Sequence, residues 1–135
     1  MSERDLCFAP ATELLKLYRA RKASPFEVMQ AVLARIDAVN PDVNAYVTVA
    51  RESALRAARA ATRSLKRGAM LPLLLGVPVS IKDNTPTKGI RTTWGSKIFE
   101  HHIPDEDALV VERLKAAGAI VVGKTNTPEF GAGAN

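Results

Sequence analysis

An α/β fold, with a mainly helical first half and the start of an α/β core in the second, is predicted by three observations. Apolar residues recur at helical spacing between Thr12 and Arg67; residues 68–135 turn richer in Pro, Gly and Thr; and the run "GVPVSIKD" in that half alternates as a half-buried strand does. The 135 residues are 47% hydrophobic and 24% charged, a composition that can bury a core. No stretch of 18 uninterrupted apolar residues occurs, and "MSERDLCFAP" carries charge where a secretory signal needs an apolar run. A soluble, cytoplasmic protein is the expectation.

The first element is a helix over "ATELLKLYRARKA", with Leu14, Leu15, Leu17 and Tyr18 on its apolar face and Thr12 as its cap. In "SPFEVMQAVLARIDAVN", Ser24 stands as N-cap, Pro25 at the first helical position and Glu27 three after the cap, which satisfies unpaired N–H groups reciprocally. Its buried stripe is Val28, Val32, Leu33, Ile36 and Val39. "NAYVTVA" is rich in β-branched and aromatic residues and reads as a strand. A helix over 51–67 follows, closed by Gly68.

In the second half, "GVPVSIKD" places Val77, Val79 and Ile81 on one strand face and Pro78, Ser80 and Lys82 on the other. The segment "NTPTKGIRTTWGSKIFEHHIP" has no sustained period and reads as a long loop, a length at which loops are commonly functional. A helix is expected from Asp105, its acidic start favoured by the helix dipole, through Leu109, Val110, Arg113, Leu114 and Ala117 to Gly118. "AIVV" is a buried strand.

The net charge of +5 raises the question of nucleic acid. Residues 1–67 hold 12 Lys/Arg against 7 Asp/Glu, so the whole excess lies in the first half. There Arg56, Arg59, Arg63 and Arg67 recur opposite an apolar face of Ala54, Leu55, Ala58, Ala61 and Leu65. No aromatic residue interleaves them as a stacking platform, which favours a solvated helix face over an RNA-binding stripe. The single cysteine, Cys7, excludes an intramolecular disulfide, and with His101 and His102 it lacks the spacing of a zinc site. Neither metal nor cofactor is expected.

"GAIVVGKT", Gly118 to Thr125, has the spacing of a phosphate-binding loop. Such a loop needs a strand before it, a flexible turn within it and a helix opening at the Lys-Thr. Here Gly118 follows a helix, Ala119 to Val122 are strand formers, and Pro128 with the Gly/Ala run discourages a helix after Lys124. The match is read instead as a helix terminator, a strand and a turn, against nucleotide binding.

The pieces "GVPVSIKD", "TTWGS", "PDEDALVVERLKAAGAIVVGKTN" and "PEF", in this order and spacing, resemble the amino-terminal part of an amidase signature enzyme. The resemblance covers nearly the whole chain. It implies the N-terminal portion of an α/β/α mixed-sheet fold, with residues 1–135 forming part of a single amidase domain truncated at its C-terminal end. It also implies hydrolysis of a small-molecule carboxamide, or transfer of the released ammonia, as in the glutamyl-tRNA amidotransferase branch of the family.

Lys82 matches the Lys of the family's Ser–cis-Ser–Lys triad. A neutral amine can accept a proton from the bridging Ser, which in turn deprotonates the nucleophilic Ser. A Lys titrates near 10.4 in water, so such a base works only where burial among neutral or cationic neighbours lowers its pKa. The competing reading is that Lys82 only snorkels or pairs with Asp83. Both triad serines lie downstream of "GKTN" in the family, which implies that the 135-residue chain is inert alone and, with its few strands, self-associates. Ser80 and Lys82 share a strand face with Cα atoms roughly 6.5–7 Å apart, yet the sequence shows no oxyanion donors to complete a dyad. Thr92, Thr93 and Ser96 read as loop hydrogen-bonding groups, and Thr125 and Asn126 as organisers of nearby backbone.

Overall fold

The computed structural model describes residues 3–67 and 71–133. In chain order the elements are α1 (Glu3–Phe8), α2 (Ala11–Arg19), α3 (Pro25–Val43), β1 (Tyr46–Val49), α4 (Arg51–Arg67), β2 (Pro78–Lys82), α5 (Leu109–Ala116) and β3 (Ile120–Thr125). Short 3₁₀ turns occupy Lys97–Phe99 and Glu129–Gly131. Gly68, the expected terminator of α4, lies outside the described residues.

The helices follow their apolar periods. Ser24 caps α3 in a full capping box: its hydroxyl accepts from Glu27 N and the Glu27 carboxylate accepts from Ser24 N. Of the expected stripe, Val28, Leu33 and Ile36 are buried and Val32 and Val39 half-buried, while Met29 and Ala31 are buried as well. The stripe is wider than a single contact requires because α3 serves two neighbours. Met29, Leu33 and Ile36 pack against Ala54, Ala58 and Ala61 of α4, and Val28 packs with Leu14, Leu17 and Tyr18 of α2. Arg56, Arg59, Arg63 and Arg67 lie on the opposite face of α4. Arg56 pairs with Glu52, and Arg59 stacks over the Phe26 ring at 4.8 Å.

Among the described residues the sheet has the order β1-β3-β2, with β1 antiparallel and β2 parallel to β3. Ile120 and Val122 of β3 join the α3/α4 core, whereas Val121 packs with Ile81 of β2 and Val111 of α5. Helices therefore cover both faces, as the resemblance implies.

Three boundaries depart from the sequence reading. The α2 N-cap is Pro10 and Thr12 lies inside the first turn, because the helix starts where the proline's fixed φ breaks the chain. Helix α5 starts at Leu109, not Asp105. Asp107 is drawn away from the helix end, its carboxylate accepting from Lys88 N at 2.7 Å and from the Lys115 ammonium at 2.8 Å. Finally, β3 runs through Thr125 where the spacing predicts a turn, since pairing with Tyr46 on one side and Lys82 on the other extends it. Gly118 terminates α5 as expected, in a left-handed conformation at φ +94°.

Candidate functional site

Lys82 is the last residue of β2, opposite Thr125, and its side chain is exposed. The backbone around it is fixed from several sides. Asp83 N donates to Thr125 O at 2.9 Å, Thr85 N closes a turn onto Lys82 O at 3.0 Å, and Trp94 N donates to Asp83 O at 3.0 Å. Asp83 does not pair with Lys82. It is fully buried, and its Oδ2 accepts from Thr93 N at 3.1 Å and from the Thr93 hydroxyl, while its Oδ1 has no donor. The alternative in which Asp83 neutralises its neighbour thus loses its partner. The Ser80 hydroxyl is hydrogen-bonded to Tyr46 OH, a contact that occupies it away from Lys82.

The expected loop groups bond as loop groups. Thr92 Oγ1 donates to Ile90 O, Thr93 Oγ1 accepts from Gly95 N, and Ser96 Oγ donates to a Glu129 carboxylate oxygen at 2.7 Å. Phe130 N donates to Trp94 O at 2.7 Å, so the segments 93–96 and 129–130 are clasped together. Asn126 holds backbone from both sides: its amide donates to Asn44 O, and its side-chain oxygen accepts from Thr127 N. Thr125 contributes its main chain, through the bond to Asp83.

Lys124 is the residue that the sequence reading misplaces. It is fully buried, the largest side chain so enclosed among the described residues. Its Nζ donates to Thr85 O, to Thr87 Oγ1 at 2.9 Å and to Thr92 Oγ1 at 2.9 Å. Burial pushes the amine down to about 8, with Asp83 and Asp107 opposing that shift and Lys115 adding to it. A register shift sets its direction. Val79 pairs with Val121 but Ser80 pairs with Gly123, so Val122 is an extra residue in β3, a bulge. Strict alternation would put Lys124 beside Val122 in the apolar α3/α4 layer. The bulge turns it to the face of Ile81 and the loop. Gly123 is required there, because a Cβ would stand 2.3 Å from Thr48 O. The available signal is the threonine-rich loop "NTPTKGIRTTW", which offers the acceptors a buried ammonium needs.

The phosphate-loop spelling is not a phosphate loop: Gly118 follows a helix, Ile120–Thr125 is strand, and Lys124 is spent on protein acceptors. Among the described residues no group of three His, Cys, Asp or Glu side chains could hold a metal ion, and no helix is long and apolar enough to cross a membrane. His102 meets the Trp94 ring at a tilt and the Phe99 ring edge-on.

The family model described as Amidase matches residues 27–135. The chain is 48% identical to the A component of the glutamyl-tRNA(Gln) amidotransferase of Carboxydothermus hydrogenoformans, over 97% of its own length and 27% of that protein's. It is 42% identical to an acylamidase of Rhodococcus erythropolis, over 97% of this chain and 28% of the other. Among solved structures, native peptide amidase from Stenotrophomonas maltophilia superposes with a TM-score of 0.83 at 31% identity, covering 91% of this chain and 26% of that one. A bacterial aryl acylamidase of the amidase signature family superposes with a TM-score of 0.86 at 24% identity, over 91% and 26%, a likeness of fold. The chain spans about a quarter of the length of the curated relatives it matches.

Proposed function

The chain belongs to the amidase family, and from that premise we propose that it supplies the terminal base of a Ser–cis-Ser–Lys triad that cleaves a carboxamide C–N bond, with Lys82 as that base. The observation that carries the reading is the state of Lys82. It ends a strand whose backbone is held by Thr125, Thr85 and Asp83, while its side chain is exposed and its neighbouring carboxylate is engaged by Thr93. The amine is thus left unspent by this chain, and the burial that a lysine base needs would be supplied in the complete enzyme by the segment that carries the two serines.

The chemistry needs two serines that the family carries downstream of the matched region. Neutral Lys82 Nζ takes the bridging Ser proton as that Ser takes the proton of the nucleophilic Ser, whose oxygen bonds to the amide carbon. The proton then passes to the departing nitrogen as the C–N bond breaks, leaving an ester that water hydrolyses. Small-molecule carboxamides are the proposed substrates, and ammonia transfer is the variant that the amidotransferase relatives suggest.

The test is an active chimera in which this chain replaces the matching first part of the Rhodococcus erythropolis acylamidase. Lys82→Ala should lower kcat by about 10²–10⁴-fold, the usual worth of a general base, with KM little changed. A variant with a normal unfolding transition and most of its amidase turnover would remove Lys82 from the mechanism.

A further inference from the structure

Burying a lysine without a paired carboxylate is costly unless every N–H finds an acceptor. An apolar side chain of the same length would fill the Lys124 site without that cost. It could not hold three oxygens. The hydrogen-bond directions show that these oxygens call for an ammonium: Thr85 contributes a carbonyl, Thr87 Oγ1 already donates its proton to Thr85 O at 3.1 Å, and Thr92 Oγ1 donates its own to Ile90 O at 3.0 Å. Three acceptors face one nitrogen, so three N–H groups are needed, and a neutral amine has only two.

The three bonds converge on the segment that leaves β2 just after Lys82. Thr85, whose carbonyl Lys124 holds, is the residue whose N–H closes the turn onto Lys82 O. Thr92, held by the same nitrogen, precedes Thr93, whose N–H and hydroxyl grip Asp83. Lys82 is thereby bracketed, through Thr85 on one side and through Asp83 on the other. Lys82 and Lys124 leave the sheet on opposite faces, because Ile81 and not Lys82 is the register partner of Lys124. Contact between the two amines is therefore not the route; the route is the turn.

We infer that Lys124 is a positioning residue for Lys82: its ammonium ties Thr85, Thr87 and Thr92 to the end of β3, and so fixes the strand end from which Lys82 projects. This rests on the reading of Lys82 as the base. It predicts that loosening Lys124 costs turnover rather than substrate binding, since its amine is spent inside the protein.

The acylamidase chimera again provides the test, with Lys124→Met, which keeps length and loses all three bonds, and with Thr87→Val and Thr92→Val, which each delete one acceptor at constant volume. Lys124→Met should lower kcat by about tenfold or more with KM within about threefold, and each Val variant should lower kcat by a few-fold. Hydrogen exchange at the Thr85, Thr93 and Trp94 amides should accelerate in the same order, while amides in α3 keep their protection. If Lys82→Ala is inert but Lys124→Met turns over at the unsubstituted rate, the inference falls and the Lys82 reading stands. If Lys82→Ala stays active, both fall. Losses of turnover matched by equal exchange gains in α3 would mark Lys124 as a general stabiliser and overturn the inference. Should Lys124→Met not fold, unchanged kcat in both Val variants overturns it equally.

Discussion

Around Leu33 the chain is held by groups without a polar atom: Met29, Leu33 and Ile36 of α3 against three alanines of α4 and the Ile120 and Val122 side chains of β3. Around Lys124, on the other side of the same sheet, it is held by an ammonium, three threonines and a buried aspartate. The first region tolerates small shifts, because dispersion and burial have no direction. The second does not, since each bond has one donor and one acceptor and a lost partner leaves a buried group unpaired. Lys82 projects from the face opposite Lys124, but its backbone runs on into the directional region through Asp83 and Thr85, which gives the proposed base a fixed backbone beneath an exposed side chain.

Substitutions that act on one region alone should break the comparison if it is wrong. The largest effect is expected in the apolar layer, where Leu33→Ala should cost about 2–5 kcal/mol, the range for a buried leucine cut to alanine, read by denaturant unfolding. The loss should be indifferent to pH between about 7 and 9, because no group that titrates there touches the layer.

The polar region should instead answer to pH. The Lys124 amine is lowered by burial to about 8 in the folded chain, against an ordinary value of 10.5. Below pH 8 both states carry the proton and the folded state bears the full burial cost. Between about 8 and 10.5 the unfolded chain binds more protons than the folded one, so stability rises with pH, by at most about 3–4 kcal/mol. Tyr18 acts the other way above about pH 10, because burial raises its phenol well above the ordinary value and ionisation there favours the unfolded chain. The rise should therefore be visible between about 8 and 10 in urea titrations and missing from Lys124→Met. A flat profile in the unsubstituted chain would show that the ammonium is better compensated than its burial suggests.

The smallest effect belongs to a helix end. Ser24→Ala removes one half of the capping box and should cost about 0.5–2 kcal/mol in thermal unfolding, whereas Ser24→Gly should cost a few tenths. A larger loss would mean that Ser24 supports more than α3.

The difference between the regions also separates what could be read from the residues. Periodicity carries the apolar layer: Val28, Leu33, Ile36, Ala54, Ala58 and Ala61 all take the side that their spacing assigns. The alternation in "GVPVSIKD" likewise places Ile81 inside and Lys82 outside. Polar networks leave no period. Nothing in "VVGKTN" states that Val122 is the extra residue of a bulge, so nothing states which way Lys124 turns. The same blindness displaces the start of α5, where Asp107 reads as a helix-dipole residue but serves Lys88 and Lys115. The assignment of Lys82 as the proposed base comes from motif resemblance, and its freedom from Asp83 becomes visible only with the Thr93 bonds in place.

The order β1-β3-β2 also has a consequence in time. The central strand is the last of the three to be synthesised, and neither outer strand pairs with the other: Tyr46 pairs with Thr125, and Pro78 with Ile120. During translation α2, α3 and α4 can assemble as soon as they emerge, since their contacts are local, but β1 and β2 stay single until Thr125 has left the ribosome. For that interval the apolar side of the α3/α4 pair that will receive Ile120 and Val122 faces water. A chain halted before Ile120 should therefore expose apolar surface that residues 120–125 cover once they arrive.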